Sequence, residues 1–180
     1  MRADASGRRN LVLIGMPGSG KSTVGVLLAR RTSRDFLDTD VLIQSREGRS
    51  LQAIVDADGY RALRRIEERI LAGLKCSATV VATGGSAVYS AAAMDHLGAG
   101  GIRIFLNADL ASLRERIRDF ATRGLAKRAG QSFEQLFEER LPLYRRYADL
   151  TVDTTGRSHD EVCEAVLRAL DAHDTCDDRQ

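Results

Sequence analysis

Cysteine is scarce in this sequence, and its spacing excludes two classes of small protein. The three cysteines, Cys76, Cys163 and Cys176, are odd in number and show neither a CxxC pair nor a His-paired metal spacing. A disulfide scaffold needs dense, paired cysteines, and a structural zinc site needs ligands at short fixed spacings. We therefore expect three reduced thiols and no structural metal.

Long apolar runs and an excess of one charge are also missing. Nowhere do 18 consecutive apolar residues occur, and the charged N-terminal segment MRADASGRR is not followed by the apolar stretch of a signal peptide. The 27 basic residues are balanced by 25 acidic ones, so the net charge is only +2. These features predict a cytoplasmic protein that binds neither a membrane nor a nucleic acid.

No linker, internal repeat or low-complexity segment divides the 180 residues. A chain of this length buries roughly 70% of its unfolded surface when it folds as one domain. We expect a single domain over residues 1–180 that works as a monomer, with disordered tails at residues 1–9 and 174–180.

The clearest motif lies near the N-terminus, where a short apolar run is followed by a glycine-rich loop and the start of a helix. Residues 10–25, NLVLIGMPGSGKSTVG, have the GxxxxGK[ST] spacing of a P-loop. Such a loop turns its backbone N–H groups toward one point, where they hold a polyphosphate. Lys21 would reach the outer phosphates, and Ser22 would ligate Mg²⁺. The predicted nucleotide-binding residues of the loop are Gly18, Ser19, Gly20, Lys21, Ser22 and Thr23.

A pair of carboxylates follows the next short strand. Asp38 and Asp40 come just after the apolar residues 36–37, and the carboxyl ends of strands are where open α/β sheets bind ligands. One of the two could instead cap the helix that starts at Val41. Because the pair follows soon after a P-loop, we favour a functional role, and the helix cap remains the alternative.

Five short apolar runs alternate with helical segments along the chain. The runs lie at residues 10–14, 36–37, 79–82, 102–106 and 150–152, and the helical patterns at 23–31, 42–74 with two breaks, 109–118, 132–147 and 159–172. This alternation predicts an α/β fold with a five-stranded parallel sheet and helices on both faces.

A basic, glycine-flanked loop separates two of the predicted helices. Residues 120–131, FATRGLAKRAGQ, carry Arg123, Lys127 and Arg128. In a phosphate-binding domain such a loop is typical of a mobile lid, which closes over the nucleotide and excludes water.

A P-loop alone leaves open a switch GTPase, a motor and a small-molecule kinase. The guanine-reading NKxD motif is absent, and the one DxxG-like string, at residues 56–59, lies between helical segments and not after a strand. Few residues remain for the transmission elements of a motor. A compact kinase that acts on a small acceptor fits the sequence best.

Over nearly the whole chain the sequence resembles the shikimate kinases. The matching pieces are GMPGSGKSTVG in the P-loop, FLDTD at 36–40, LRRIEE at 63–68, ATGG from Ala82, the lid arginine Arg123, and RLPLYRRYAD from Arg140. The resemblance implies a P-loop fold of the nucleoside-monophosphate-kinase type, in which ATP with Mg²⁺ phosphorylates a ring hydroxyl of shikimate.

The resemblance also implies roles for individual residues. Asp38 would hold Mg²⁺ through water, and Asp40 would bind the acceptor and act as the base. Arg64 and Arg145 would grip the substrate carboxylate, which suits guanidinium groups because they bind carboxylates bidentately. The other implied site residues are Glu67, which supports the acceptor site; Gly84 and Gly85, which line it; and Arg116 and Arg123, on the adenine side and in the lid.

Three positions differ from the usual pattern of that family. Leu63 stands where the family has Phe, Ser86 where it has a third glycine, and Gly124 where Pro follows the lid arginine. Homoserine remains an alternative acceptor, because it offers a hydroxyl and a carboxylate to the same groups, and a cationic amine would find Glu67 or Asp40 nearby. A relative that binds ATP without turnover is disfavoured because Lys21 and Asp40 are both present.

Overall fold

The sheet and its helices are seen in a computed structural model, which describes residues 9–116, 125–128 and 130–177. The strands in these ranges are β1 (Asn10–Ile14), β2 (Asp35–Asp38), β3 (Thr79–Ala82), β4 (Gly101–Asn107) and β5 (Leu150–Asp153). The helices are α1 (Lys21–Thr32), α2 (Thr39–Glu47), α3 (Leu51–Asp58), α4 (Tyr60–Ala72), α5 (Ala91–Gly100), α6 (Leu110–Arg116), α7 (Phe133–Tyr147) and α8 (His159–Asp177), with a 3₁₀ turn at Ala87–Tyr89.

The five strands form one parallel sheet in the order β2-β3-β1-β4-β5. The predicted parallel α/β fold is thereby confirmed. Because β1, β2 and β3 are neighbours and run the same way, the loops at their carboxyl ends lie side by side. Those three loops are the P-loop, the aspartate pair and the second glycine turn, so the topology gathers the predicted site at one edge of the sheet.

Alternation along the strands divides the core into two layers. Val12 and Ile14 point into a cluster that contains Met94 of α5 and Leu136 of α7. Their neighbours Leu11 and Leu13 point to the other side and pack with α1 and α8. Successive side chains of a strand leave opposite faces, so a run that is apolar at every position requires helices on both faces.

A third apolar cluster packs α4 against α2 and α3. It joins Ile43 of α2 and Ile54 of α3 to Leu63 and Ile70 of α4. Glu67 lies between Leu63 and Ile70 at helical spacing, and it is only 3% exposed. The apolar stripe of α4 therefore carries one carboxylate into the interior.

Three details differ from the sequence-based expectations or fall outside the described residues. Helix α5 and the 3₁₀ turn were not predicted. Helix α8 extends to Asp177, so residues 174–177 of the expected C-terminal tail are helical. Residues 1–8, 117–124, 129 and 178–180, which include Arg123 and half of the predicted lid, lie outside the described part of the chain.

Candidate active site

The P-loop connects β1 to α1, and its glycines adopt backbone angles that other residues avoid. Gly15, Gly18 and Gly20 have φ of 149°, 82° and 90°. Lys21 is 8% exposed, and its Nζ donates to the carbonyl oxygens of Gly15 at 2.9 Å and Met16 at 2.8 Å. Burial lowers the pKa of Lys21 to about 8, against the opposing effect of Asp40. The carbonyl oxygens of the loop thus fix the Lys21 ammonium group at the start of α1.

Asp38 uses its two carboxylate oxygens differently. Oδ1 accepts from the backbone N–H groups of Asp40 at 2.9 Å and Val41 at 3.3 Å, which makes Asp38 the N-cap of α2. Oδ2 accepts from the hydroxyl of Ser22 at 2.6 Å. Asp38 therefore caps α2, as the alternative interpretation expected, and its second carboxylate oxygen also lies next to the Ser22 hydroxyl of the P-loop. Two hard oxygen donors side by side suit Mg²⁺, which takes few protein ligands and retains water.

Two further carboxylates lie on the acceptor side of the cavity. Burial, with repulsion from Asp38, raises the pKa of Asp40 to about 6, although Lys21 opposes the rise. Burial, with repulsion from Asp40, raises the pKa of Glu67 to about 7. Ser86 Oγ donates to Glu67 Oε2, while Glu67 Oε1 has no hydrogen-bond partner in the described part of the chain.

The glycine turn after β3 allows these carboxylates to approach the backbone. A Cβ added at Gly84 would overlap Glu67 Oε1 and would lie 2.7 Å from Asp40 Oδ1. A Cβ at Gly85 would lie 2.9 Å from Arg140 Nη1. A larger residue at either position would therefore have to displace these side chains, although neither glycine has an unusual backbone angle.

Two arginines from different helices converge on one oxygen atom. Arg64 of α4 donates from Nη2 to the carbonyl oxygen of Ala126 at 3.2 Å, and Arg140 of α7 donates from Nη2 to the same oxygen at 2.9 Å. Arg140 is 1% exposed. The Nε of Arg64 is buried and has no hydrogen-bond partner in the described ranges. The pair can thus present several donors to one anionic group.

The structure places Arg145, the expected partner of Arg64, away from the cavity. It is exposed near the end of α7 and does not line the cavity. Five residues correspond to about 500° of helix rotation, so Arg145 faces roughly 140° away from Arg140. The buried face of α7 runs through Leu136, Arg140 and Tyr144, and that i, i+4, i+8 spacing could have identified Arg140 from the sequence.

The opposite wall of the cavity comes from α6 and from the loop before α8. Arg116 lines the cavity and donates from Nη2 to the carbonyl oxygen of Thr154 at 3.2 Å. Arg157 and His159 line the same wall, and neither was selected in the sequence analysis. A Cβ at Gly20 would lie 3.2 Å from His159 Cδ2, so the start of α8 packs against the P-loop.

One cavity of about 730 Å³ joins these walls, and its size lies within the range typical of small-molecule sites. It brings together the P-loop, Asp40, Glu67, the glycine turn, Arg116 and Arg140. Arg64 borders an adjacent cavity of about 290 Å³ and meets the main one through Ala126. Phosphate-binding backbone, a buried lysine, a carboxylate and paired arginines are the parts that phosphoryl transfer to an acidic acceptor requires.

The fold and the site together define the class of protein as a P-loop kinase of small molecules. Thymidylate kinase from Candida albicans has the same fold, with a TM-score of 0.55 at 14% identity and coverage of 93% of this chain and 92% of that one. In the described part of the chain, no helix combines the length and the apolar composition that crossing a membrane requires.

Closer similarity is found within one kinase family. Residues 17–171 match the sequence profile of the family described as shikimate kinase. The shikimate kinase of Thiobacillus denitrificans is 40% identical over 156 residues, which cover 85% of each protein. Shikimate kinase from Acinetobacter baumannii, solved in complex with shikimate, superposes with a TM-score of 0.83 at 29% identity, covering 92% of this chain and 94% of that one. The chain belongs to the shikimate kinase family.

Proposed function

We propose that the protein transfers the γ-phosphoryl group of ATP to a ring hydroxyl of shikimate, giving shikimate 3-phosphate and ADP. The observation that carries this proposal is the placement of Asp40 and Arg140 in the same cavity as the P-loop. One end of the cavity is built for phosphates, and the other offers a carboxylate for a hydroxyl and guanidinium groups for an acid.

Arg64 and Arg140 bind the carboxylate of the acceptor. In support, their Nη2 atoms already reach one oxygen atom, the carbonyl oxygen of Ala126. A carboxylate offers two oxygens and a full negative charge, so it replaces that carbonyl with stronger, charge-assisted hydrogen bonds. The buried Nε of Arg64 supplies a further donor.

Asp40 orients the acceptor hydroxyl and takes its proton as the oxygen attacks the γ-phosphorus and ADP leaves. Its raised pKa, about 6, is closer to the working pH than that of an ordinary carboxyl, which favours general-base catalysis. Glu67 supports the acceptor site from α4, and Gly84 and Gly85 line it.

Residues 18–23 hold the phosphates of ATP, and Arg116 lies on the adenine side. Lys21 places its charge beside the transferred group. Ser22 and Asp38 would hold Mg²⁺, Asp38 through water, and the metal would neutralise charge on the phosphates. Arg123, which lies outside the described residues, is proposed to act from the lid by the family resemblance alone.

The kinase is further proposed to work as a monomer in the cytoplasm. Cys76 and Cys163 are free thiols, as is usual in a reducing compartment.

A coupled assay of ADP release tests the acceptor. With Mg²⁺ and ATP, we expect purified protein to phosphorylate shikimate in preference to homoserine, and Lys21→Ala to abolish turnover because the phosphates lose their buried cation. If homoserine is phosphorylated at least a hundredfold more efficiently than shikimate, the acceptor assignment fails while the kinase assignment survives.

The carboxylate site is tested with two arginines of the same helix. Arg140→Lys keeps the charge but loses the planar fork, so kcat/KM for shikimate should fall by tenfold or more. Arg145→Lys is the matched control and should behave like the wild type, because Arg145 is exposed. A loss in Arg145→Lys with normal Arg140→Lys would restore Arg145 as the substrate arginine.

A further inference from the structure

Tyr89 lies between the two arginines of the proposed carboxylate site. It ends the 3₁₀ turn that follows the glycine turn. The Cζ atom of Arg64 lies 3.4 Å from the centroid of the Tyr89 ring, and that of Arg140 lies 5.3 Å from it. Both distances are within the range of cation–π attraction. One aromatic ring therefore contacts both guanidinium groups.

The hydroxyl of Tyr89 makes two further contacts. It donates to Glu139 Oε1 at 2.7 Å and accepts from Arg140 Nε at 3.3 Å. Burial is the main cause that raises the pKa of Tyr89, so the phenol stays neutral and remains a donor at physiological pH. Glu139 Oε1 also lies 4.0 Å from Arg64 Nη2, so the hydroxyl contacts Arg140 directly and is linked to Arg64 through Glu139.

Two guanidinium groups that share one acceptor repel each other, and each has a long side chain with many rotamers. Without support, ordering both for a carboxylate would cost conformational entropy and Coulomb energy. The Tyr89 ring attracts both cations, its hydroxyl fixes the Nε of Arg140, and Glu139 supplies a compensating negative charge. Of these two arginines, Tyr60 contacts only Arg64, with its ring centroid 5.1 Å from Cζ.

We propose that Tyr89 is a positioning residue for the acceptor, which holds Arg64 and Arg140 in the geometry that binds the carboxylate. This inference rests on the proposed function, since it takes the two arginines to be the acceptor site. Tyr89 itself does not line the main cavity and acts through the arginines. The ring of Tyr89 faces two guanidinium groups, whereas the ring of Tyr144 stacks on Phe105.

The test compares Tyr89→Leu with Tyr89→Phe in steady-state assays. Tyr89→Leu removes both the ring and the hydroxyl, so we expect KM for shikimate to rise roughly tenfold, with kcat and KM for ATP changed less than twofold. Tyr89→Phe keeps the ring and should recover most of that loss. The matched control is Tyr147→Leu, because Tyr147 also stacks on an arginine, Arg146, of α7 but lies outside the cavity.

A double-mutant cycle shows whether Tyr89 acts through an arginine. Adding Tyr89→Leu to Arg64→Met should raise KM for shikimate by clearly less than the tenfold expected in the wild-type background, because one of the two cations is already gone. Fully additive losses, an unchanged KM in Tyr89→Leu, or equal losses for shikimate and ATP with a lowered Tm would each overturn the inference. Failure of the wild type to phosphorylate shikimate would instead contradict the proposed function.

Discussion

At the residue scale, Asp38 and Asp40 show how one short turn can separate two kinds of carboxylate chemistry. Asp38 caps α2 with one oxygen and meets Ser22 with the other. Asp40, two positions later, turns into the cavity beside Lys21, Glu67 and the glycine turn. The cap fixes the backbone of the first turn of α2, and so it also fixes the direction of Asp40.

Exchanging each aspartate for asparagine separates their roles. Asp38→Asn keeps an oxygen for the cap but removes charge near the metal, so the Mg²⁺ concentration needed for half-maximal activity should rise. Asp40→Asn keeps the shape but removes the base, and kcat should fall by roughly 10²–10⁴-fold with ATP affinity nearly unchanged. Metal titrations, kcat and ATP binding are measured for both variants. Equal losses in all three for both would mean that the pair is only structural.

The site was predictable from the sequence where a short motif carries both the chemistry and its placement. The P-loop and the aspartate pair are of this kind: the P-loop and Asp40 line the cavity, and Asp38 accepts a hydrogen bond from Ser22 of the P-loop. The motif did not identify the second arginine, because RLPLYRRYAD contains three arginines and only the apolar spacing along α7 distinguishes Arg140 from Arg145. Tyr89 and His159 come to the site from separate parts of the chain, so no local pattern marks them.

At the scale of elements, strands and amphipathic helices were predicted where their apolar pattern is strong. Helix α5 was missed because its sequence, AAAMDHLGAG, is rich in alanine and glycine and has only two large apolar residues, Met94 and Leu97. Its start is set by Ser90, whose hydroxyl accepts from the N–H of Ala93 at 3.1 Å. A serine cap before three alanines is a local indication that would have predicted this helix.

At the junction between α5 and β4, we expect alanine to change stability in opposite directions at the adjacent glycines Gly100 and Gly101. A Cβ at Gly101 would lie 2.7 Å from the backbone oxygen of Asn10, its partner on β1. Gly101→Ala should therefore lower the free energy of unfolding by roughly 1–3 kcal/mol. Gly100 ends the helix, and a Cβ there would meet Asn10 Nδ2 only at 3.7 Å.

Gly100→Ala is the matched control, since it should be neutral or stabilise by about 0.5–1 kcal/mol through helix propensity. Urea unfolding of both variants measures the difference. Equal destabilisation would show that the β1–β4 contact does not limit the size of residue 101.

At the scale of the whole molecule, the two core layers and the cluster under α4 exclude water from the acceptor end of the cavity. That exclusion affects Glu67 strongly, because its neighbours include Asp40 as well as the cations Arg64 and Arg140. Burial and Asp40 raise its pKa to about 7, whereas Ser86 and the two arginines oppose the rise. An acid whose pKa is higher in the folded than in the unfolded state makes stability depend on pH across the entire fold.

The sign of that dependence follows from proton binding. Between the ordinary value of 4.5 and about 7, the folded state binds more protons at Glu67 than the unfolded state, so stability should fall as pH rises through this window. Below it the effect is absent, and above it the loss is complete. Glu67→Gln cannot ionise, so its stability relative to the wild type should increase between pH 4.5 and 8, on the order of 1–3 kcal/mol. Urea unfolding of ligand-free protein across this range measures the difference.

Glu68→Gln is the control for this measurement, because it changes the same charge at the next position of α4 but on the exposed face. Its stability should remain parallel to that of the wild type at every pH. If Glu67→Gln and Glu68→Gln give the same pH dependence, the buried carboxylate is ionised throughout the window. The arginines would then outweigh burial, and the acceptor end of the cavity would be more strongly solvated or more positive than the packing of α4 indicates.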